Sequence, residues 1–202
     1  GVPGSDELVW GRRHLARAIR LLTHDLETSR YKARTPEMRT AQGVVNDAAG
    51  ASFNWTVAAC LREWFPGSAV WERFEKAGAV HLPRELGDID ALWAEPKSRT
   101  LVAVECKHIR PSRNPAELAN EMSNLMGSPR TRLSHLQRHA RRVEWLRLNA
   151  GQLVLALGLD GSRKWNVYGL LLTSVRPLST FLKDAGMPVL TLRELSALNF
   201  GE

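Results

Sequence analysis

Three acidic residues and a lysine stand within two otherwise apolar stretches near the middle of the chain: Asp88, Asp90, Glu105 and Lys107. Carboxylates brought close together repel one another unless a cation lies between them, and oxygen ligands without histidine or thiolate suit Mg²⁺. A neighbouring ammonium group can orient or deprotonate the attacking water and neutralise the negative charge that develops at phosphorus. The residue types therefore indicate metal-dependent hydrolysis of a phosphodiester.

A β-hairpin is the element that would bring these residues together. Residues 87–93 and 101–107 are short stretches rich in β-branched and aromatic residues, and a polar segment, Pro-Lys-Ser-Arg at 96–99, separates them. This pattern predicts two antiparallel strands joined by a short loop.

The register of this hairpin decides which charged residues meet. Pairing of Glu95 with Thr100 sets Asp90 opposite Glu105, and it sets the aspartate two positions earlier opposite the lysine. Because side chains alternate along a strand with period two, all four charged side chains are expected on one face. A simpler interpretation stays open, in which Asp88 and the lysine form an ordinary cross-strand ion pair while the other two acidic residues are merely exposed.

Asp90, fourteen intervening residues and then Glu105-Cys106-Lys107 resemble the motif of the PD-(D/E)XK nuclease superfamily, which has the restriction-endonuclease-like fold. The segments Gly-Asp-Ile-Asp and Val-Glu-Cys-Lys are most similar to those of its Mrr-like and Holliday-junction-resolvase-like branches, and the resemblance spans roughly residues 50–175. It implies that Asp90 and Glu105 bind Mg²⁺, or Mn²⁺ in its place, together with the backbone carbonyl of Cys106. It also implies that Lys107 activates the water.

One position departs from the family's pattern. In that family the helix before the first core strand often carries a metal-side glutamate just after an aromatic residue, whereas here Asn54 follows Phe53. A third acidic ligand is therefore not provided at this position. Asn54 and Asp88 are the candidate accessory residues of the site.

The balance of charge indicates a polyanionic partner. The chain has 202 residues, with 28 Lys plus Arg against 21 Asp plus Glu and a formal net charge of +7. Arginine predominates among the basic residues, and its planar guanidinium favours bidentate contact with phosphate. The arginines that follow the motif are expected to hold the backbone of DNA: Arg110, Arg113, Arg138, Arg141 and Arg142.

Composition also bears on the surroundings of the protein. No apolar run approaches the roughly 18 residues that a membrane span needs, so no membrane is expected as a partner. Cys60 and Cys106 are interpreted as buried thiols, which fits a reducing, cytoplasmic compartment. The start at Gly1 fits a part of a larger multidomain protein, and a homodimer stays open as well.

The elements around the hairpin predict the domain organisation. Amphipathic helices within residues 1–49, the first from Ser5 to about Tyr31, form an N-terminal helical extension packed on the core. Residues 50–202 form the nuclease-like core with a C-terminal closing segment, and the whole is one globular unit.

Further elements complete the predicted core. A helix that begins after Gly50 precedes the hairpin, and helices at 115–127 and 129–149 follow it, the last being the most basic stretch of the chain. The continuous apolar run at 152–157 predicts a buried strand with a hairpin partner at 165–172. The expected fold class is α/β, with a mixed central β-sheet flanked by helices on both faces and extra N-terminal helices.

Fold, charge and motif together predict a Mg²⁺-dependent nuclease that hydrolyses phosphodiester bonds in DNA. An endonuclease of restriction and defence, or of DNA repair and recombination, is the expected class. Two alternatives stay open. The first is a nucleic-acid-binding module whose nuclease-like site is inactive, and the second is a nuclease directed at RNA.

Overall fold

A computed structural model describes residues 11–27, 33–127 and 133–199. Two compact units divide the chain, residues 1–49 and residues 50–202. In the first unit, helix α1 spans Arg12–Glu27, so a helix is present where amphipathic spacing predicted one. The predicted ends of this helix, at Ser5 and Tyr31, lie outside the described residues.

Five helices and seven strands make up the described part of the chain. The helices are α1, α2 (Pro36–Trp64), α3 (Pro115–Met126), α4 (His135–Ala156) and α5 (Leu192–Asn199). The strands are β1 (Ala69–Phe74), β2 (Lys76–Ala77), β3 (Val80–His81), β4 (Ile89–Glu95), β5 (Thr100–Lys107), β6 (Asn166–Thr173) and β7 (Val189–Thr191). A 3-10 turn at Arg84–Leu86 precedes β4.

Five strands form one mixed sheet in the order β1-β4-β5-β6-β7. The pairs β1–β4 and β4–β5 are antiparallel, whereas β5–β6 and β6–β7 are parallel. The predicted hairpin is present, and Glu95 pairs with Thr100 as its register required. The predicted α/β fold class with a mixed central sheet is confirmed.

The sheet buries apolar residues on both faces, because alternate side chains of its strands enter different clusters. Leu92, Leu101 and Ala103 pack with apolar residues of α4. Ala91 and Val104 pack with apolar residues of α2. Helices α4 and α2 therefore cover opposite faces, as the alternation of side chains along a strand requires.

The prediction of a strand at 152–157 is wrong. These residues continue α4 to Ala156, where Leu153 and Val154 are buried and Leu155 is exposed. A short apolar run does not by itself distinguish a buried strand from a helical segment, and here the basic helix simply extends into it. Strand β6 consequently pairs in parallel with β5 instead of forming a hairpin with that run.

The prediction of a helix boundary near Gly50 is also wrong. Helix α2 continues from Pro36 through Gly50 to Trp64. A glycine in a helix interior costs about 1 kcal/mol relative to alanine, which neighbouring helical residues can offset. Within the described residues, no helix is long and apolar enough to cross a membrane.

Candidate active site

Asp90 lies near the start of β4, and Glu105 and Lys107 lie near the end of β5, so the hairpin brings them to the same end of the sheet. The β4–β5 pairing ends with Ala91 opposite Val104, one position short of the two carboxylates. Beyond this pair a side chain links the two strands: Oδ2 of Asp90 accepts a hydrogen bond from the backbone N–H of Cys106 at 2.8 Å.

The Asp90 carboxylate is held on both oxygens. While Oδ2 binds the Cys106 N–H, Oδ1 accepts a hydrogen bond from Nδ2 of Asn54 at 2.8 Å. Burial raises the pKa of Asp90, and the neighbouring charge of Glu105 raises it further. Asn54 is thus a hydrogen-bond donor to the candidate metal ligand.

Asp90 and Glu105 contact different layers of the fold. Side chains of β4 should point alternately to the two faces of the sheet, yet Ile89 and Leu92, three positions apart, both pack in the cluster on the α4 side. The alternation is therefore interrupted between them, and the Asp90 carboxylate contacts Asn54 of α2. Glu105 contacts side chains of α4. The expectation that all the charged side chains share one face therefore does not hold for Asp90, because alternation needs a continuous ladder and the ladder ends beside it.

Glu105 is the most buried acidic residue of the site, with 6% of its side chain exposed. Its Oε1 lies 2.8 Å from Nζ of Lys107, and its Oε2 accepts a hydrogen bond from Nη1 of Arg142 at 2.5 Å. Burial alone would raise the pKa of Glu105, but Lys107 and Arg142 outweigh it, and the pKa is lowered. Glu105 is therefore ionised at neutral pH.

Arg142 was expected to contact DNA together with Arg138 and Arg141, but its side chain is buried, unlike theirs. Only 10% of its side chain is exposed. Besides binding Glu105, its Nε donates a hydrogen bond to the carbonyl of Leu86 at 2.7 Å. Arg142 stands three residues after His139, which is also buried, so the two side chains lie on the same face of α4.

His139 is a site residue that the sequence did not single out. Its ring is fully buried, with Nε2 3.1 Å from the carbonyl of Ala103 and Nδ1 3.8 Å from Oε2 of Glu105. Burial lowers the pKa of His139, so the ring is neutral. Since a carbonyl only accepts, Nε2 carries the proton and Nδ1 presents a lone pair, for which the described residues offer no hydrogen-bond donor.

The ordinary ion pair between Asp88 and Lys107 does not form. Lys107 contacts Glu105 instead, and Asp88 lies 3.6 Å from Nε of Arg73. Because Glu105 is also buried and Asp90 is half-buried, the interpretation of these acidic residues as an exposed, solvated strand face does not describe the structure.

The donor set fits a hard divalent cation in its chemistry. Asp90 and Glu105 are oxygen donors, and the pKa of Asp90 is raised by burial and then by the charge of Glu105. All four carboxylate oxygens already contact protein donors, yet each oxygen has a second lone pair that a cation can share. Within the described ranges, no three His, Cys, Asp or Glu residues cluster as metal ligands, so these two carboxylates would supply the side-chain ligands.

The predicted phosphate-binding arginines occupy different surroundings. Arg138 and Arg141 are exposed on α4, and Nη2 of Arg138 lies 3.2 Å from Nδ1 of His135. Burial, followed by the charges of Lys107 and Arg138, lowers the pKa of His135 to about 4, so its ring is neutral at pH 7.

Before α3, the loop arginines are more constrained. Arg113 binds the Glu117 carboxylate at 2.9 Å, and Arg110 is half-buried. The exposed members of the predicted set are therefore Arg113, which is paired with Glu117, and Arg138 and Arg141 on α4.

Comparison with known proteins adds nothing to this geometry: no family model, no curated protein and no solved structure matches the chain.

Proposed function

We propose that this chain is a metal-dependent nuclease that hydrolyses phosphodiester bonds in DNA, an endonuclease of restriction and defence or of repair and recombination. The observation that carries the proposal is a pair of carboxylates at the end of two adjacent strands, the half-buried Asp90 and the buried Glu105, with Lys107 in contact with the second. Buried carboxylates with opposed pKa shifts are characteristic of functional sites.

Each residue has a distinct role in this proposal. Asp90, Glu105 and the backbone carbonyl of Cys106 would hold Mg²⁺, with Mn²⁺ as a substitute. The bound cation would supply Lewis-acid stabilisation of charge on the phosphoryl oxygens. Lys107, whose side chain is 29% exposed and whose Nζ lies 2.8 Å from Oε1 of Glu105, orients the attacking water and stabilises the pentacoordinate transition state.

Asn54 and Arg142 support this arrangement from opposite sides of the sheet. Asn54 fixes the Asp90 carboxylate by a hydrogen bond. Arg142 fixes Glu105 and at the same time anchors the turn that leads into β4. Binding of the substrate rests on phosphate contacts from the exposed arginines of α4, so it depends on salt and little on sequence.

A nucleic-acid-binding module without cleavage is the second candidate. One observation favours it: every oxygen of the two carboxylates is engaged by a protein donor, so a cation has to share these oxygens with Lys107, Arg142, Asn54 and the Cys106 amide. Such a module would bind DNA through the same arginines. Free thiols at Cys60 and Cys106 support a cytoplasmic setting for either candidate.

The experiment that separates the two candidates uses plasmid and linear DNA with Mg²⁺, Mn²⁺ or EDTA. We expect cleavage by the wild type with either metal and none in EDTA. Asp90→Asn and Glu105→Gln should abolish cleavage and leave DNA binding intact, because each removes one negative ligand near a polyanion. DNA binding by a wild type that never cuts would favour the binding module, and full activity of both variants would refute the site.

A further inference from the structure

Arg73 has an unusual backbone conformation inside a strand. Its φ angle is +46°, and Arg99 is the other non-glycine residue with positive φ in the described part of the chain. Arg99 lies in the β4–β5 turn, where such conformations are common. Arg73 lies within β1, where an L-amino acid with a long side chain rarely adopts it.

The irregularity lies directly beside the candidate active site. In the β1–β4 ladder Glu72 pairs with Ala91 and Phe74 pairs with Ile89, but the position between them, Arg73 opposite Asp90, is not paired. Backbone strain of this kind persists where the surrounding structure enforces it, and it occurs preferentially at functional sites. The strain therefore marks the strand position next to the candidate metal ligand.

The side chain of Arg73 is available to a ligand. It is 80% exposed, and its contact with Asp88 is a single approach of 3.6 Å between exposed groups. Exposed ion pairs of this geometry contribute little, so a phosphate can replace Asp88 as the partner of the guanidinium. Arginine also binds phosphate by two parallel hydrogen bonds, which Asp88 does not receive here.

A cleft of about 430 Å³ adjoins this residue. It is lined by Glu75, by residues of the β2–β3 hairpin and the 3-10 turn, and by Asp88. Two of its charged side chains are cations, Lys76 and Arg84, and the other two are the carboxylates of Glu75 and Asp88. Asp88 links the two features, because it lines the cleft and contacts Arg73. The cleft is thus connected through Asp88 to the strained arginine beside Asp90, and it offers two further cations next to its two carboxylates.

We propose that Arg73, with Lys76 and Arg84 in the adjoining cleft, forms a phosphate-binding subsite that holds the nucleic-acid strand next to the reacting phosphodiester. This inference rests on the proposed function, because the subsite would bind the same DNA substrate where it passes Asp90. Its ligand is a backbone phosphate, so it contributes affinity without reading bases.

The test compares Arg73→Gly with Arg99→Gly. Both variants remove one arginine and relieve a positive φ, since glycine adopts this region without steric cost. Arg99 follows the loop at the far end of the hairpin, so it is a matched control for charge and strain. Binding of duplex DNA is measured in EDTA over a series of salt concentrations, and thermal unfolding is recorded for each protein.

We expect Arg73→Gly to bind more weakly, with the slope of log K against log salt reduced by about 0.9, and to unfold at or above the wild-type temperature. Arg99→Gly should keep the wild-type slope. An unchanged slope in Arg73→Gly, or an equal loss in both variants, would overturn the subsite even if the wild type cleaves DNA. If the wild type and the variants bind DNA with the expected slopes but the wild type never cleaves it, only the proposed nuclease function is overturned. If the wild type binds no DNA, both the nuclease function and the subsite are overturned.

Discussion

Arg142 joins the carboxylate of Glu105 to the carbonyl of Leu86, so one guanidinium ties β5 to the turn that precedes β4. Gly87, which follows that turn with a φ of +68°, has no side chain, and a Cβ there would stand 3.3 Å from Nη2 of Arg142. The position of the two strands that carry the acidic residues is thus fixed by an arginine from α4.

Removal of this arginine should destabilise the fold. Arg142→Met leaves Glu105 buried with one cation fewer, and breaking a buried ion pair typically costs about 3–5 kcal/mol. Arg141→Met on the exposed side of the same helix is the control, with an expected change within about 0.5 kcal/mol. Urea unfolding of both variants measures the difference, and equal stabilities would show that Arg142 does not hold Glu105 in solution.

Glu105 and Asp90 should give opposite pH dependences of stability. The pKa of Glu105 is lowered from its ordinary 4.5, so the unfolded state binds more protons just below that value. Its contribution is fully present above pH 4.5 and is lost as the pH falls through the folded pKa. The pKa of Asp90 is raised from 3.8, so its contribution is present below that value and is lost as the pH rises through the folded pKa.

Unfolding free energies between pH 3 and pH 7 test these signs in two variants. Glu105→Gln should remove a gain of stability with rising pH near 4.5, and Asp90→Asn should remove a loss of stability above 3.8. Parallel profiles for the wild type and both variants would show that the surroundings of the two carboxylates do not shift their pKa values in opposite directions.

Lys107→Ala should reduce the rate of DNA cleavage strongly while metal affinity changes little. Its ammonium contacts Glu105 at 2.8 Å and acts, in the proposed mechanism, on the water and the transition state. Calorimetric titration with Mn²⁺ gives the affinity and single-turnover kinetics give the rate. Loss of metal binding in proportion to the rate would show that the lysine only supports the site's structure.

The exposed arginines of α4 should act as phosphate contacts. In the double variant Arg138→Ala and Arg141→Ala, two lost contacts should reduce the slope of log K against log salt by about 1.8, at about 0.9 each on duplex DNA. Affinity should fall together for all sequences, because such contacts do not read bases. An unchanged slope would show that this face of α4 is solvated and that DNA lies elsewhere.

The sequence alone determined the hairpin, its register and the identity of the charged residues at its end. These features are local: a polar loop between two apolar stretches fixes which residues pair, and Glu95 opposite Thr100 follows from it. The predicted helix at 115–127 is also local in origin: it is present as α3, where the Asn114 side chain caps the first turn by accepting a hydrogen bond from the N–H of Glu117.

Only the tertiary structure decided what surrounds Asp90 and Glu105. Arg142 and His139 come from a helix that starts 30 residues after Glu105, and Asn54 comes from one that ends before β1. No local pattern distinguishes a buried arginine from its exposed neighbours, because its burial depends on a carboxylate distant in sequence that compensates its charge. The conformation of the apolar run at 152–157 likewise depends on residues distant in sequence. These residues are helical, and Leu153 and Val154 pack against one face of the sheet instead of pairing with a neighbouring strand.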